Sequence, residues 1–225
     1  MTTEKSTLFL PSLMCADFGH LREDVLALEA AGADGFHLDL MDGNYVPNYA
    51  MGLGDIQAVA SMASVPCDVH MMVQDPGRYV DRFAKAGVRI VYVHPDACPD
   101  CAATLRQIRE LGMAPGIAVN PGVTVEEVRE LLPLVDYVLA MTVNPGFAGQ
   151  KWIASVDPKI AELSKLGESM GFDVIIDGNC SPENIKRAHD LGARGFVLGT
   201  AGLFGHGPYR QTMAALRGLF SPAAA

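Results

Sequence analysis

The sequence predicts an α/β fold, a single (β/α)8 barrel of TIM type with a parallel eight-stranded sheet. Three observations predict it. The chain has 225 residues, close to the ~250 typical of that architecture. Hydrophobic residues make up 49% and charged residues 19%, with Gly 23 and Pro 14, a balance suited to a large core and many tight connections. A helical stretch that ends at glycine and passes within a few residues into a short apolar run recurs along the chain. It is read in Ala30-Ala-Gly-Ala-Asp-Gly-Phe36, Lys85-Ala-Gly-Val-Arg-Ile-Val91, Leu111-Gly-Met-Ala-Pro-Gly-Ile117 and Leu191-Gly-Ala-Arg-Gly-Phe-Val197. Glycine accepts the left-handed conformation that closes a helix, and a continuously apolar strand is expected where helices cover both faces of a parallel sheet.

Taken in order, the first strand is read near 8–13 with a helix near 20–31, the second near 36–40 with a helix near 53–62, and the third near 67–72 with a helix near 78–86. Asp75-Pro76 supplies that third helix with a capping side chain before a helix-opening proline. The fourth strand lies near 89–93 with a helix near 100–111, and the fifth near 115–119 with a helix near 124–132. There Thr124 precedes Glu126 and Glu127, which complement the positive end of the helix dipole. The sixth strand lies near 136–141 with a helix near 155–170, the seventh near 173–177 with a helix near 182–191 opened by Ser181-Pro182, and the eighth near 195–199 with a helix near 208–219. Alternation of this kind implies a parallel sheet, and eight units imply closure, with a doubly wound open sheet as the alternative. No linker divides the chain, so one domain is expected over 1–225, with 1–7 a polar leader and 221–225 a tail.

The net charge of −9 repels nucleic-acid phosphates and anionic membranes, so neither is an expected partner. No apolar run approaches the ~18 residues of a membrane span, and the polar start followed by a short apolar stretch to Pro11 does not read as a secretory signal. Five scattered cysteines, Cys15, Cys67, Cys98, Cys101 and Cys180, point to reduced thiols in the cytoplasm. Cys98-Pro-Asp-Cys101 has zinc-like spacing but no second pair, and is read as a helix start. His20, His189 and His206 are read as surface residues.

The active site of such a barrel lies at the C-terminal ends of its strands. The second strand ends His37-Leu-Asp39-Leu-Met41-Asp42-Gly43, the third Asp68-Val-His70-Met-Met72, and the seventh Ile175-Ile-Asp177-Gly178. Residues two apart on a strand share a face, so two imidazoles and two carboxylates converge from three strand ends. Any one of them alone more often caps a loop or pairs with a neighbour, but together they suit one divalent ion, zinc, manganese, iron or cobalt. Three glycine-rich stretches, 144–150, 177–179 and 198–202, suit a phosphate approached by backbone N–H groups, although each glycine alone also suits a tight turn. His94, near the end of the fourth strand, is a lesser candidate.

Pro11-Ser-Leu-Met-Cys-Ala-Asp17, His37-Leu-Asp39-Leu-Met-Asp-Gly43 with Val46-Pro-Asn48, Asp68-Val-His70-Met-Met72, Val143-Asn-Pro-Gly-Phe-Ala-Gly-Gln150 and Asp177-Gly178 resemble the ribulose-phosphate 3-epimerase family along nearly the whole chain. Ser12-Leu-Met-Cys15, His94-Pro95, Met141-Thr142, Asp177-Gly-Asn-Cys180 and Gly199-Thr-Ala-Gly-Leu-Phe204 are similar to the D-allulose-6-phosphate 3-epimerases within it. Ala148 and Asn179 stand where the commoner pattern has glycine, Thr200 where it has serine, and Asp96 where it has glutamate.

The resemblance implies that His37, Asp39, His70 and Asp177 bind the metal and that Asp39 and Asp177 also move protons. It implies that Ser12, His70 and Asp177 touch substrate and that Gly146, Phe147, Ala148, Gly149, Gly178, Asn179, Gly199 and Thr200 surround the phosphate. Met41, Met72 and Met141 would wall the reacting carbons, a role that by composition is no better supported than core filling. The expected reaction is inversion of carbon 3 of a phosphorylated ketose, D-allulose 6-phosphate in the first place and D-ribulose 5-phosphate as the alternative, by an enzyme that forms homo-oligomers. One aspartate would act as base and the other as acid, with the metal as Lewis acid. A metal-free barrel lyase, which would want a strand-end lysine, and a non-catalytic sugar-phosphate binder are the competing classes.

Overall fold

The computed structural model describes residues 6–220. The expected leader, apart from Ser6 and Thr7, and the expected tail lie outside them. The strands are β1 Leu8–Pro11, β2 Phe36–Asp42, β3 Tyr49–Ala50, β4 Cys67–Met72, β5 Ile90–Val93, β6 Ala114–Val119, β7 Tyr137–Met141, β8 Asp173–Asp177 and β9 Gly195–Leu198. The helices are α1 Leu21–Ala30, α2 Leu53–Met62, α3 Val80–Ala86, α4 Cys101–Glu110, α5 Val125–Val128, α6 Asp157–Met170, α7 Pro182–Asp190 and α8 Tyr209–Gly218. The strands form one nine-stranded curled sheet in the order β1-β9-β8-β7-β6-β5-β4-β2-β3. Every pairing is parallel except that of the two-residue β3, which folds back antiparallel on the end of β2. Beyond β1, a parallel bridge joins Ser12 to His37 of β2.

Strand alternation divides the buried residues into two populations. One parity packs outward under the helices, with Phe9, Phe36, Leu38, Val69, Val91, Ile117, Val138 and Ile176 in a continuous shell. The other parity packs inward, where Leu10, Tyr92, Ala118, Leu139, Met141, Ile175 and Val197 form a second cluster. A Cβ on Gly116 would lie 2.4 Å from the Tyr92 ring, so the glycine makes room for that ring. The inward set continues along β2, β4 and β8 into polar side chains, and the site stands on this inner layer.

The glycine joints form as the sequence predicts: Gly32, Gly87, Gly112 and Gly192 all have positive φ. Ser181 and Thr124 cap α7 and α5, and Thr124 with Glu127 completes a capping box. Four expectations need correction. The sheet has nine strands with one antiparallel pairing, not eight parallel strands, because the connection after β2 folds back on it as the two-residue β3. Asp75 does not cap its helix; it sits in the left-handed region at φ 49, and Pro76 opens a short 3-10 turn ahead of α3. The helix expected near 124–132 stops after one turn at Val128, and a 3-10 turn over Leu132–Leu134 follows. Pro133 causes this, because its ring clashes with the carbonyl four residues back and offers no N–H. The strand expected near 8–13 ends at Pro11, and 13–15 form another 3-10 turn. Among the described residues, no helix is long and apolar enough to cross a membrane, and all five cysteines are free.

Candidate active site

His37 and Asp39 are inward residues of β2, His70 of β4, and Asp177 ends β8. One ligand atom from each lies within 4.8 Å of the others. His37 Nε2 is 3.3 Å from Asp39 Oδ1 and 3.9 Å from Asp177 Oδ2. His70 Nδ1 is 3.3 Å from Asp39 Oδ1 and 3.4 Å from Asp177 Oδ2. Both imidazoles are fully buried, and neither ring nitrogen of His37 makes a hydrogen bond of good geometry among the described residues, Nδ1 having only a close ion-pair contact. An orphaned buried nitrogen facing two carboxylates, beside a second imidazole, fits a divalent cation of the zinc or manganese kind.

Three of these side chains have a support outside the cluster. Ser12 donates its hydroxyl to Asp39 Oδ2 at 2.6 Å. Asp68 Oδ1 lies 2.6 Å from His37 Nδ1, and the two residues are register partners across β2 and β4. His94 Nε2 lies 2.8 Å from His70 Nε2. Burial opposes a charge on His37, but Asp68 and then Asp39 outweigh it and raise its pKa well above the ordinary imidazole value. Burial likewise opposes charge on His70, and Asp177 and Asp39 reverse the balance and raise it. Burial disfavours the Asp39 carboxylate, but His37 and then His70 more than offset this and hold its carboxyl below the usual range. Burial raises Asp68 despite His37, so this pair retains protons that either group free in water would lose more readily. Burial, reinforced by His70, keeps His94 well below the imidazole range and therefore uncharged at neutral pH.

The cavity above these groups is lined by Ser12, Asp39, Met41, Met72, Met141, Asp177 and the three small-residue stretches, including Gly146, Phe147, Ala148, Gly149, Gly178, Asn179, Gly199 and Thr200. All the expected substrate contacts except the fully buried His70 therefore reach one cavity. The three methionines line the cavity and also pack: Met41 and Met72 cluster with Val46, and Met141 belongs to the inner core layer. Asn48 Nδ2 donates to Gly146 O at 2.7 Å, tying the β2–β3 connection to the loop after β7. Phe147 is half exposed at the rim. Cys15 also lines the cavity, and burial, with Asp39 adding to it, pushes its thiol up to about 11, which favours the protonated form at neutral pH. Among the described residues, no lysine lines this cavity.

Sequence reasoning misses Asp68 and undervalues His94. Asp68 is visible as the inward residue two before His70, but its contact with His37 depends on the β2–β4 register. Asn179 is placed in the cavity wall, yet its side chain is engaged within the protein. Its Nδ2 donates to Gln150 O at 2.6 Å and its Oδ1 accepts from Asn184 at 2.9 Å. At φ 46 it fills a left-handed position that glycine also fills readily and that Asn tolerates.

Residues 9–203 match the profile of the Ribulose-phosphate 3 epimerase family. The ribulose-phosphate 3-epimerase of Bacillus subtilis is 39% identical over 211 residues, covering 92% of this chain and 97% of that protein. The Synechocystis protein of the same name is also 39% identical, over 95% of this chain and 94% of its own. Among solved structures, KGPDC from Streptococcus mutans superposes with a TM-score of 0.75 over 95% of this chain and 96% of its own, at 14% identity, a likeness of fold.

Proposed function

This chain belongs to the Ribulose-phosphate 3 epimerase family, and we propose on that premise that it interconverts D-ribulose 5-phosphate and D-xylulose 5-phosphate by inverting carbon 3. The observation that carries the reading is the convergence of Asp39 and Asp177, with two buried imidazoles, under a cavity whose far wall is small and glycine-rich.

Inversion beside a carbonyl requires a proton to leave one face of the carbon and another to arrive on the opposite face. Asp39 from β2 and Asp177 from β8 supply the two carboxyl groups, one ionised as base and one protonated as acid, titrating as a linked pair. The Ser12 hydroxyl fixes Asp39 by its other oxygen. Met41, Met72 and Met141 give the reacting carbons an apolar wall. Backbone N–H groups of Gly146 to Gly149, Gly178, Asn179, Gly199 and Thr200 hold the phosphate, so the sugar is oriented by its unreactive end. His37, Asp39, His70 and Asp177 would hold one divalent ion, zinc first with manganese, cobalt or iron as alternatives, and that ion supplies Lewis-acid polarisation of the carbonyl. The reading takes the chain as one domain, a barrel closed through the Ser12–His37 bridge, acting in the cytoplasm as a homo-oligomer.

The five-carbon substrate replaces the six-carbon one favoured by the sequence details. The relatives described above carry the ribulose-phosphate name, and the Asn179 amide, one of those details, is engaged by Gln150 and Asn184. One misplaced carbon in a close-fitting site is worth ~1–3 kcal/mol, roughly 10- to 200-fold. Side-by-side kinetics should give a kcat/KM for D-ribulose 5-phosphate at least about tenfold above that for D-allulose 6-phosphate. The opposite preference overturns the substrate and leaves the family standing.

A further inference from the structure

We infer that His94 is a positioning residue for His70: its Nε2 accepts the Nε2–H of His70 and so keeps the Nδ1 lone pair of His70 free for a cation. The inference rests on the metal reading of His70 given above.

The two rings are fully buried, their Nε2 atoms are 2.8 Å apart and their centroids 5.0 Å apart. Two nitrogens at that distance share one hydrogen. With two hydrogens they clash, and with none two lone pairs oppose each other. The tautomers of the two neutral rings are therefore linked. If His94 carries its hydrogen on Nε2, it donates to His70, whose own hydrogen then sits on Nδ1. There it faces Asp39 Oδ1 at 3.3 Å and Asp177 Oδ2 at 3.4 Å, and it closes that nitrogen to a metal. If His94 carries its hydrogen on Nδ1 instead, it accepts from His70, and His70 Nδ1 presents a lone pair to the same space. Only the second arrangement is competent for ligation.

The structure holds His94 in place beneath His70, with its Nδ1 left without a hydrogen-bond partner among the described residues. Tyr92 and His94 are two apart and share a parity, and Tyr92 is the register partner of His70. The His94 carbonyl accepts from Ala97 N at 3.0 Å and Cys98 Sγ at 3.3 Å. Its ring packs 4.8 Å from that of Tyr45. Tyr45 in turn donates to Asp96 at 2.9 Å and accepts from Asn120 at 2.8 Å. The choice of a neutral acceptor has an electrostatic reason. Asp39, Asp68 and Asp177 already bring three carboxylates to the site. A fourth anion beneath His70 would add a buried charge that one divalent ion could not balance.

The test uses Zn2+ alone, with affinity measured by chelator competition on wild type, His94→Phe and His94→Gln. Phenylalanine keeps a ring and removes the acceptor; glutamine restores an acceptor oxygen. The expected result is a roughly 10- to 100-fold weaker Zn2+ affinity for His94→Phe, substantial recovery in His94→Gln, and lost turnover that returns at saturating Zn2+. Nitrogen-15 NMR of the Zn2+-loaded wild type should show hydrogen on His70 Nε2 and on His94 Nδ1, a readout that stands even if a variant fails to fold. Wild-type affinity in folded His94→Phe, or hydrogen on His94 Nε2 in the loaded protein, overturns the inference while the metal reading survives. A wild type that takes up no Zn2+ overturns both.

Discussion

Replacing Asp68 separates the charge it contributes from the hydrogen bond it can accept. Its carboxylate is 2% exposed and lies 2.6 Å from His37 Nδ1, while the other nitrogen of that ring faces Asp39 and Asp177. Asp68→Asn keeps an acceptor oxygen but no charge, so the His37 tautomer survives and its basicity falls. Losing such a support typically weakens metal binding 10- to 100-fold, and the isosteric change belongs at the lower end, about tenfold or ~1.4 kcal/mol. Asp68→Ala also strands a buried N–H, which costs about 1–3 kcal/mol of folding stability. For a chain of this size that corresponds to a Tm lower by roughly 2–12 °C. Chelator competition for Zn2+ and thermal denaturation of the metal-free proteins measure the two quantities separately. Asp68→Asn should lose affinity while melting near wild type, and Asp68→Ala should lose both. Wild-type Zn2+ affinity in both variants would refute a supporting role for Asp68.

Two further predictions concern the phosphate loop and pH. Gly178 has φ +114, and a Cβ there would lie 2.7 Å from Val143 Cγ2 and 2.9 Å from Thr142 Oγ1. Gly178→Ala should cost about 1–3 kcal/mol and raise KM for the phosphorylated substrate; an unchanged Tm with unchanged KM refutes the packing argument. Because the pKa values of His37 and His70 are raised in the metal-free chain, both must shed protons before ligating. Zn2+ affinity should therefore climb from pH 6 toward pH 8, and keep climbing above the ordinary imidazole value of about 6.5. The stability these protonated rings lend the metal-free protein is complete below about 6.5 and is lost as pH rises through their higher folded values. Asp39, shifted downward, adds stability present above the ordinary carboxylate value of about 3.9 and lost as pH falls through its folded value. A Zn2+ affinity that stays flat or falls between pH 6 and 8 contradicts the histidine assignment.

The parity of the site is legible in the sequence, but its register is not. His37 and Asp39, or Asp68 and His70, share a face by simple alternation, and the glycine joints announce the helix ends. That His37 meets Asp68, and His70 meets His94, follows only once β2, β4 and β5 are aligned side by side. Local signals mislead where a stronger local constraint competes: Pro133 cuts α5 short, and Asp75 adopts a left-handed turn instead of capping α3. β3 escapes a periodicity argument because two residues carry no period; its pairing with β2 comes from the turn that begins at Gly43. Asn179 stands out in the sequence because its type departs from glycine; that its amide bridges Gln150 and Asn184 is visible only in the fold.

The central claim is that Asp39 and Asp177 work from opposite faces of carbon 3, and transfer of solvent hydrogen tests it most directly. Wild type turning over D-ribulose 5-phosphate in deuterated water should give D-xylulose 5-phosphate carrying one deuterium, at carbon 3. The incoming hydrogen comes from a carboxyl group in exchange with solvent, not from the one that took the proton away. Asp177→Asn should cut interconversion by about 100-fold or more while Asp39 still exchanges the carbon 3 hydrogen of one epimer. Product formed with its original hydrogen retained, or near-normal interconversion by Asp177→Asn, would contradict the two-carboxylate account.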